Sequence, residues 1–173
     1  IRDKNNEHWL WLCSDQGLLL FDEQKEAFIA TYNLEQTEEY FLPTESVQDI
    51  HQDEKDIYWL ATANSGVIRW DKNNKEYRKI SIANGLPNNN IYCIYPDDFG
   101  NLWMSSDFGI IRMNKATFAI KNFLPKDGIG QTEFNRISHS ETRDEAGHQR
   151  LIFGGLDGIT TFFPKDFQDK NTT

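Results

Sequence analysis

Side chains that could carry acid–base or nucleophilic chemistry are scattered along this sequence. The histidines are His8, His51, His139 and His148, and they share no common sequence context. Glycoside cleavage needs a pair of converging carboxylates, and a lyase needs a positioned base. Neither the GxSxG nucleophile motif nor the HExxH zinc motif occurs. The sequence therefore predicts no catalytic residue, and an enzyme of the lyase or glycosidase type is kept as an alternative.

Neither the acidic turns nor the cysteines predict a metal, cofactor or redox site. Residues 3–7 and 71–76 contain the Asp and Asn side chains that calcium loops use. In the first turn, His8 stands where an EF-hand loop needs glycine, so hairpin turns are expected instead. Cys13 and Cys93 form no CxxC pair and lie on predicted strands that are far apart in the chain. We expect both to be small buried core residues without a disulfide.

A bulky anchor residue recurs along the chain, six or seven residues before a glycine that begins a second apolar run. In the first three copies the anchor and the glycine are Trp11 with Gly17, Trp59 with Gly66, and Trp103 with Gly109. The fourth copy is degenerate, with Ile152 and Gly158 in these places. Successive anchors are 48, 44 and 49 residues apart. A period of roughly 40 to 50 residues with several short strands is typical of β-propeller blades.

The predicted fold is therefore all-β, with about four blades that are each a four-stranded antiparallel meander. Residues 84–114 show this most completely, as three short apolar runs separated by Gly and Asx turns. Because blades cover each other's faces, their inner strands should be apolar on both sides, as Ile110 and Ile111 are. We expect the tryptophans to pack in the core rather than stack on a ligand. The glycines should take a positive φ in a tight turn.

The blade repeats are predicted to cover residues 1–34, 46–83, 90–124 and 136–167. Ile1 to Asp3 resemble the clipped end of a first strand. Pro164 should end the last strand, since proline cannot donate to a β-ladder. Residues 168–173 are polar and are expected to fray.

Composition excludes several classes of partner. The chain has 18 basic and 27 acidic residues and a net charge of −9, which argues against nucleic acid and anionic membranes. No apolar run approaches the length of a membrane span, so no membrane contact is predicted for this segment. The chain begins at Ile1 without a methionine or signal segment, so we expect a processed or excised piece.

The third copy resembles the two-component regulator propeller repeat. The resemblance rests on Gly85-Leu86-Pro87-Asn88-Asn89-Asn90, on Gly100-Asn101-Leu102-Trp103 and on Gly109. The second copy keeps Trp59 and Gly66 but lacks the GNLW turn. The loop at Glu133-Phe134-Asn135 and the later Phe153-Gly154-Gly155, Asp157-Gly158 and Phe163-Pro164 resemble the last blade of such sensors.

This resemblance implies a C-terminal fragment of a larger propeller, which in this family usually has seven blades. The parent would be a hybrid two-component system of the Bacteroides type, with a periplasmic sensor region anchored in the inner membrane. The resemblance implies that this parent detects a ligand, an oligosaccharide as is usual in the family, and signals to a cytoplasmic histidine kinase. The remaining blades and a β-sandwich would be the partners of this fragment within the parent.

Ligand contacts in propellers usually lie on loops at one end of the central channel. On that basis the candidate ligand-binding residues are Asn88, Asn89, Asp107, Phe108, Asn135 and Asp157. Turn chemistry alone also explains Asn and Asp at such places. A protein-binding scaffold is a third interpretation. A partial propeller should expose strand edges and apolar blade faces, which predicts self-association.

Overall fold

The computed structural model describes residues 1–54 and 56–168, and these residues form fourteen β-strands and four short 3₁₀ helices. They belong to two compact units, one from Ile1 to Ile94 and one that begins at Tyr95. From residue 169 onward, the predicted frayed tail lies outside the described residues.

The first unit contains two antiparallel sheets. One has three strands, β1 (Trp9–Ser14), β2 (Gly17–Asp22) and β3 (Ala27–Tyr32). The other has four strands, β4 (Val47–Gln52), β5 (Ile57–Thr62), β6 (Val67–Asp71) and β7 (Glu76–Ile80). Each strand pairs with the next one along the chain, which is the meander that the sequence predicts.

The second unit repeats this plan. A four-stranded sheet has β8 (Tyr95–Pro96), β9 (Asn101–Ser106), β10 (Gly109–Asn114) and β11 (Ile120–Phe123). A three-stranded sheet has β12 (Phe134–Arg143), β13 (Gln149–Gly155) and β14 (Gly158–Phe162). The all-β fold of blade-like meanders is thus confirmed.

The first and last sheets have one strand fewer than predicted, for different reasons. Beside β1, Ile1 to Asp3 make only a short ladder, in which the Asp3 amide donates to the Trp9 carbonyl at 2.9 Å. After β14, Pro164 begins a 3₁₀ turn, Pro164–Phe167, where a fourth strand would otherwise start. Pro164 therefore ends the last strand as expected.

The glycine that begins the second hairpin strand is required by a close backbone approach. Gly17, Gly66 and Gly109 have φ values of 110°, 77° and 90°, which side-chain-bearing residues rarely adopt. A Cβ at any of them would lie 2.1–2.2 Å from a carbonyl oxygen of the neighbouring outer strand. The positive φ expected from the sequence is confirmed, and the close contact explains why the glycine recurs.

The anchor tryptophans form the core of each unit. Trp11, Trp59 and Trp103 are each 1% exposed, as predicted for packing residues. In the first unit Trp11 makes edge contacts with Tyr58 and Trp70, at centroid distances of 5.3 and 6.0 Å, and so joins the two sheets. Replacing such a tryptophan by alanine typically costs about 3–5 kcal/mol.

The second unit uses the same device. Trp103 packs against Phe162 of the neighbouring sheet at 4.8 Å and against Phe167 at 5.5 Å. The turn after β14 therefore contributes to the core although it is not a strand. Cys13 and Cys93 form no disulfide, and burial raises the pKa of the Cys13 thiol to about 12.

Candidate functional site

The loop over residues 85–90 is built onto the β5–β6 turn that precedes it in the chain. The Gly66 amide donates to the Asn89 carbonyl at 2.8 Å, and the Ile91 amide donates to the Thr62 carbonyl at 3.0 Å. Leu86 is 3% exposed and anchors the loop in the first unit. The loop and the turn therefore form one surface.

Asparagine side chains hold this loop in shape. The Asn89 Oδ1 accepts from the Ile82 amide at 3.0 Å, and the Asn88 Oδ1 accepts from the Asn90 amide at 2.8 Å. The Asn90 Oδ1 in turn accepts from the Asn64 amide at 2.8 Å. Both candidate residues, Asn88 and Asn89, are half-buried. The side-chain oxygens of Asn88 and Asn89 accept hydrogen bonds within the loop. Their Nδ2 groups are therefore the atoms that could donate hydrogen bonds to a ligand.

The second unit repeats the arrangement with a different loop. The Gly109 amide donates to the Thr132 carbonyl at 2.7 Å, so residues 128–133 lie on the β9–β10 turn. On the other side of this loop, the buried Gln131 side chain accepts from the Asp157 amide at 2.8 Å. Its Nε2 group donates to the Gly158 carbonyl at 3.1 Å. Gln131 thus ties the loop to the β13–β14 turn.

Sequence reasoning missed Gln131. The available signal was the pair Gly154 and Gly155, because adjacent glycines in a strand often mark a close approach. A Cβ at Gly155 would lie 2.2 Å from the Gln131 Nε2 atom. A lone glutamine in a polar loop gives no such signal by itself.

Four of the six candidate residues lie around this loop of the second unit. Asp107 and Phe108 form the β9–β10 turn, and the Phe108 ring is 55% exposed. Asp157 is exposed in the β13–β14 turn. Asn135 is exposed just after the loop, and its Oδ1 accepts from the Ile137 amide at 3.0 Å. Asn88 and Asn89 belong to the first unit. The surface around residues 128–133 offers polar groups beside one exposed aromatic ring, which suits binding rather than bond cleavage.

The aspartates at the ends of the inner strands are structural. Asp3 Oδ2 accepts from the Trp11 indole at 2.7 Å and from the Tyr58 hydroxyl at 2.8 Å. Burial raises the pKa of Asp3, but these bonds and two backbone amides outweigh it and leave the pKa below its ordinary value. Burial and the Asp3 contact also raise the pKa of Tyr58.

Within residues 1–54 and 56–168, no group of three or more His, Cys, Asp or Glu side chains could hold a metal.

The histidines are each engaged by their own neighbours. The His139 Nδ1 atom lies 2.7 Å from the Tyr95 hydroxyl, and His148 Nδ1 lies 3.1 Å from Asp144 Oδ2. A backbone hydrogen bond from His148 is the main cause that lowers the pKa of Asp144. These pairs lie in separate turns and strands, and the geometry does not assemble them with an acid and a base around one space.

Residues 85–108 match the family model described as the two component regulator propeller. Over these residues the chain is similar to a two-component regulator propeller repeat. The matched segment joins the loop that docks on the Gly66 turn to the strand that bears Trp103, so it contains the two features that recur in the structure. The resemblance stated from the sequence is confirmed.

Solved structures extend the likeness to the whole fold. One is described as the extracellular domain of a hybrid two component system, BT4673, from B. thetaiotaomicron, with 25% identity and a TM-score of 0.72. Another is the extracellular domain of the hybrid two component system BT3049 from the same organism, with 20% identity and a TM-score of 0.69. Each match covers 96% of this chain, but only 22% and 27% of those chains.

A curated relative, histidine kinase P4 of Formosa agariphila, is 28% identical over 96 residues. That match covers 55% of this chain and 7% of the kinase. The chain therefore spans a small part of the proteins it matches. Both solved structures are described as extracellular domains of two component systems. In the described part of the chain, no helix has the length and apolarity needed to cross a bilayer.

Proposed function

We propose that this chain is part of the extracytoplasmic sensor region of a hybrid two-component system. In this proposal it binds rather than transforms its ligand, and the parent protein passes the signal to a cytoplasmic histidine kinase. The observation that carries the proposal is the regulator propeller repeat at residues 85–108, built onto the preceding hairpin turn. The descriptions of the relatives as extracellular domains and as a histidine kinase support it.

The ligand proposed for the loop surfaces is an oligosaccharide. Sugars are bound through hydrogen bonds to their hydroxyl groups and through stacking of their apolar ring faces. The loop surface of the second unit offers both kinds of group: the Asp107–Phe108 turn and the turn of Asp157 both contact the loop at residues 128–133, and Asn135 follows that loop. The half-buried Asn88 and Asn89 side chains offer amide donors in the first unit.

The test is calorimetric titration of this chain, beside the complete extracytoplasmic domain of its parent, with a panel of oligosaccharides. Saturable binding by both proteins, without consumption of sugar, supports a ligand site on these loops. Release of sugar products would overturn the binding proposal in favour of an enzyme. Binding by the complete domain alone would assign these loops a scaffold role and the site to other blades.

A second proposal concerns the open face of the last sheet. Ile137, Leu156 and Ile159 are 83%, 78% and 73% exposed and line one cavity of about 570 Å³. Gly158 lines the same cavity, and a Cβ there would meet nothing within 4 Å, which leaves room for side chains from a covering surface. In the parent we propose that another blade or the β-sandwich covers this face. In the isolated chain a second copy would cover it.

A further inference from the structure

Another cavity lies in the first unit, away from the loop at residues 85–90. It has a volume of about 80 Å³ and is lined by Tyr32, Glu39, Phe41, Trp70, Lys72, Lys75 and Tyr77. The two lysines lie in the β6–β7 turn, at the other end of β6 from Gly66. The cavity therefore does not share groups with the loop surface proposed above for the oligosaccharide.

Aromatic rings form the walls of this cavity. Trp70 and Tyr32 are 3% and 5% exposed, with their ring centroids 4.9 Å apart. Phe41 and Tyr77 lie nearer solvent, with centroids 5.7 Å apart and Tyr77 38% exposed. Flat apolar walls of this kind favour a flat or ring-shaped ligand.

Two cations and one anion line the cavity together with these rings. The Lys72 ammonium lies 5.5 Å from the ring centroids of both Trp9 and Trp11, so cation–π contacts orient it. Lys75 is exposed in the same turn, and Glu39 supplies a carboxylate. The lining thus carries one excess positive charge on a chain of net charge −9. This local excess favours an anionic ligand.

Tyr32 adds a hydrogen-bond donor to the lining. Burial, with contributions from Tyr40 and Glu39, raises the pKa of the Tyr32 hydroxyl to about 12. A tyrosine hydroxyl is protonated at neutral pH even at its ordinary pKa of about 10, so Tyr32 can donate to an oxygen atom of a ligand. The Glu39 carboxylate can accept from a ligand hydroxyl in return.

We propose that this cavity binds a small organic anion in which a single ring carries a carboxylate. The carboxylate would lie at Lys72 and Lys75, and the ring would lie against Phe41 and Tyr77. A fully enclosed cavity that holds benzene is about 150 Å³, so a cavity of this size that is open to solvent takes part of one ring rather than a chain of rings. Aromatic acids and sugar acids share this chemistry.

The experiment follows tryptophan fluorescence and heat as the 173-residue chain is titrated at low salt. The probes are benzoate and galacturonate, each beside its neutral counterpart, benzyl alcohol and galactose. We expect one carboxylate to bind at least about tenfold more tightly than its neutral counterpart, because its contacts are charge-assisted. The carboxylate that binds identifies the ring as aromatic or as a sugar. Equal affinity of the neutral counterpart, or no saturation by either carboxylate, overturns the proposal.

Variants locate the site. Lys75→Met, at an exposed turn position, should weaken the binding of that carboxylate at least about threefold, and Lys72→Met/Lys75→Met should weaken it at least about tenfold. Lys79→Met removes an exposed charge from β7 of the same sheet outside the cavity lining and should leave affinity unchanged. If Lys79→Met weakens binding as much as Lys75→Met, the effect is one of net charge and the assigned site is wrong. Near-ultraviolet circular dichroism checks folding, and Lys75→Met alone decides the outcome if the double variant is unfolded.

Discussion

The buried carboxylate of Asp97 accepts the indole hydrogen of Trp103 at 2.9 Å. Asp97 also accepts from the backbone amides of Phe99 and Asn101, so one side chain both shapes the β8–β9 turn and holds the anchor tryptophan. Asp53 with Trp59, at 3.3 Å, and Asp3 with Trp11 repeat the pair. In these three sheets the turn and the core are therefore coupled through a single carboxylate.

Replacing Asp97 by alanine should destabilise the second unit by about 3 kcal/mol, since it leaves a buried indole and two backbone donors without their acceptor. Asp98→Ala is the matched control, because the neighbouring Asp98 is exposed and pairs with Arg143 at 3.1 Å. That exposed ion pair should contribute about 0–1 kcal/mol. Urea unfolding measures both. Equal losses would show that the Asp97–Trp103 bond has no special weight.

The Asp3 network predicts a pH dependence. The pKa of Asp3 lies below its ordinary value of 3.8 in the folded chain, so its ionised form stabilises the fold at neutral pH. This contribution is complete above the ordinary pKa and is lost as pH falls through the lower folded-state value. Asp3→Asn should therefore be less stable than the unmodified chain at pH 6, with the difference shrinking below pH ~4. Urea midpoints at a series of pH values test this, and a difference independent of pH would contradict it.

Gly109→Ala should be strongly destabilising, because a Cβ there would lie 2.2 Å from the Phe123 carbonyl oxygen. Gly100 provides the control: its φ of 83° is similar to the 90° of Gly109, but a Cβ at Gly100 would meet nothing within 4 Å. Gly100→Ala should cost only the left-handed backbone penalty of about 1–2 kcal/mol. Thermal unfolding should show a clearly larger loss for Gly109→Ala. Similar losses would mean that φ alone requires the glycine.

The proposed covering of the last sheet predicts concentration-dependent association of the isolated chain. Ile137→Ser/Ile159→Ser should reduce this association, because it removes two large side chains from the exposed apolar face. Ile82→Ser is the control, since Ile82 is 57% exposed in the first unit. Sedimentation velocity over a range of concentrations measures the effect. A chain that stays monomeric at every concentration would contradict the prediction.

The proposed oligosaccharide contact predicts a role for Phe108. Phe108→Ala should weaken oligosaccharide binding by the complete sensor domain about threefold to tenfold through loss of ring stacking, with little change in stability. Phe99→Ala is matched to it, because Phe99 is 48% exposed just beyond the other end of β9. Calorimetric titration compares the two. Equal affinities of both variants would remove Phe108 from the proposed site.

The regular spacing of the anchors and glycines in the sequence predicted the blades, because the backbone geometry of each meander requires that spacing. The tryptophan anchors and the glycines at Gly17, Gly66 and Gly109 recur since each meander needs a core residue and a turn with room for a carbonyl. The Asp97–Trp103 bond was not predicted. The recurring aspartate is visible in the sequence, but the reach of its carboxylate to the indole depends on how the turn folds.

The groups that could bind ligands were the hardest to place from sequence. The role of Gln131 and the cavity at Lys72 depend on contacts between segments that are far apart in the chain. No local sequence pattern predicts such contacts. The missing fourth strands of the outer sheets each had a partial signal, in Pro164 and in the clipped strand end at Ile1 to Asp3. The six candidate loop residues were chosen by turn position, and their role in binding stays a prediction.

The docking of residues 85–90 on the Gly66 turn has an evolutionary consequence. By sequence these residues begin the third copy of the repeat, yet they complete the compact unit that ends at Ile94. Gene duplication that copies one repeat would thus separate each loop from the turn on which it rests. A copied repeat can fold in its new place only if the turn before it presents the same glycine and the same free carbonyl and amide groups. Lineages that gain or lose blades should therefore keep neighbouring copies interchangeable at these turns, even where the rest of the blade diverges.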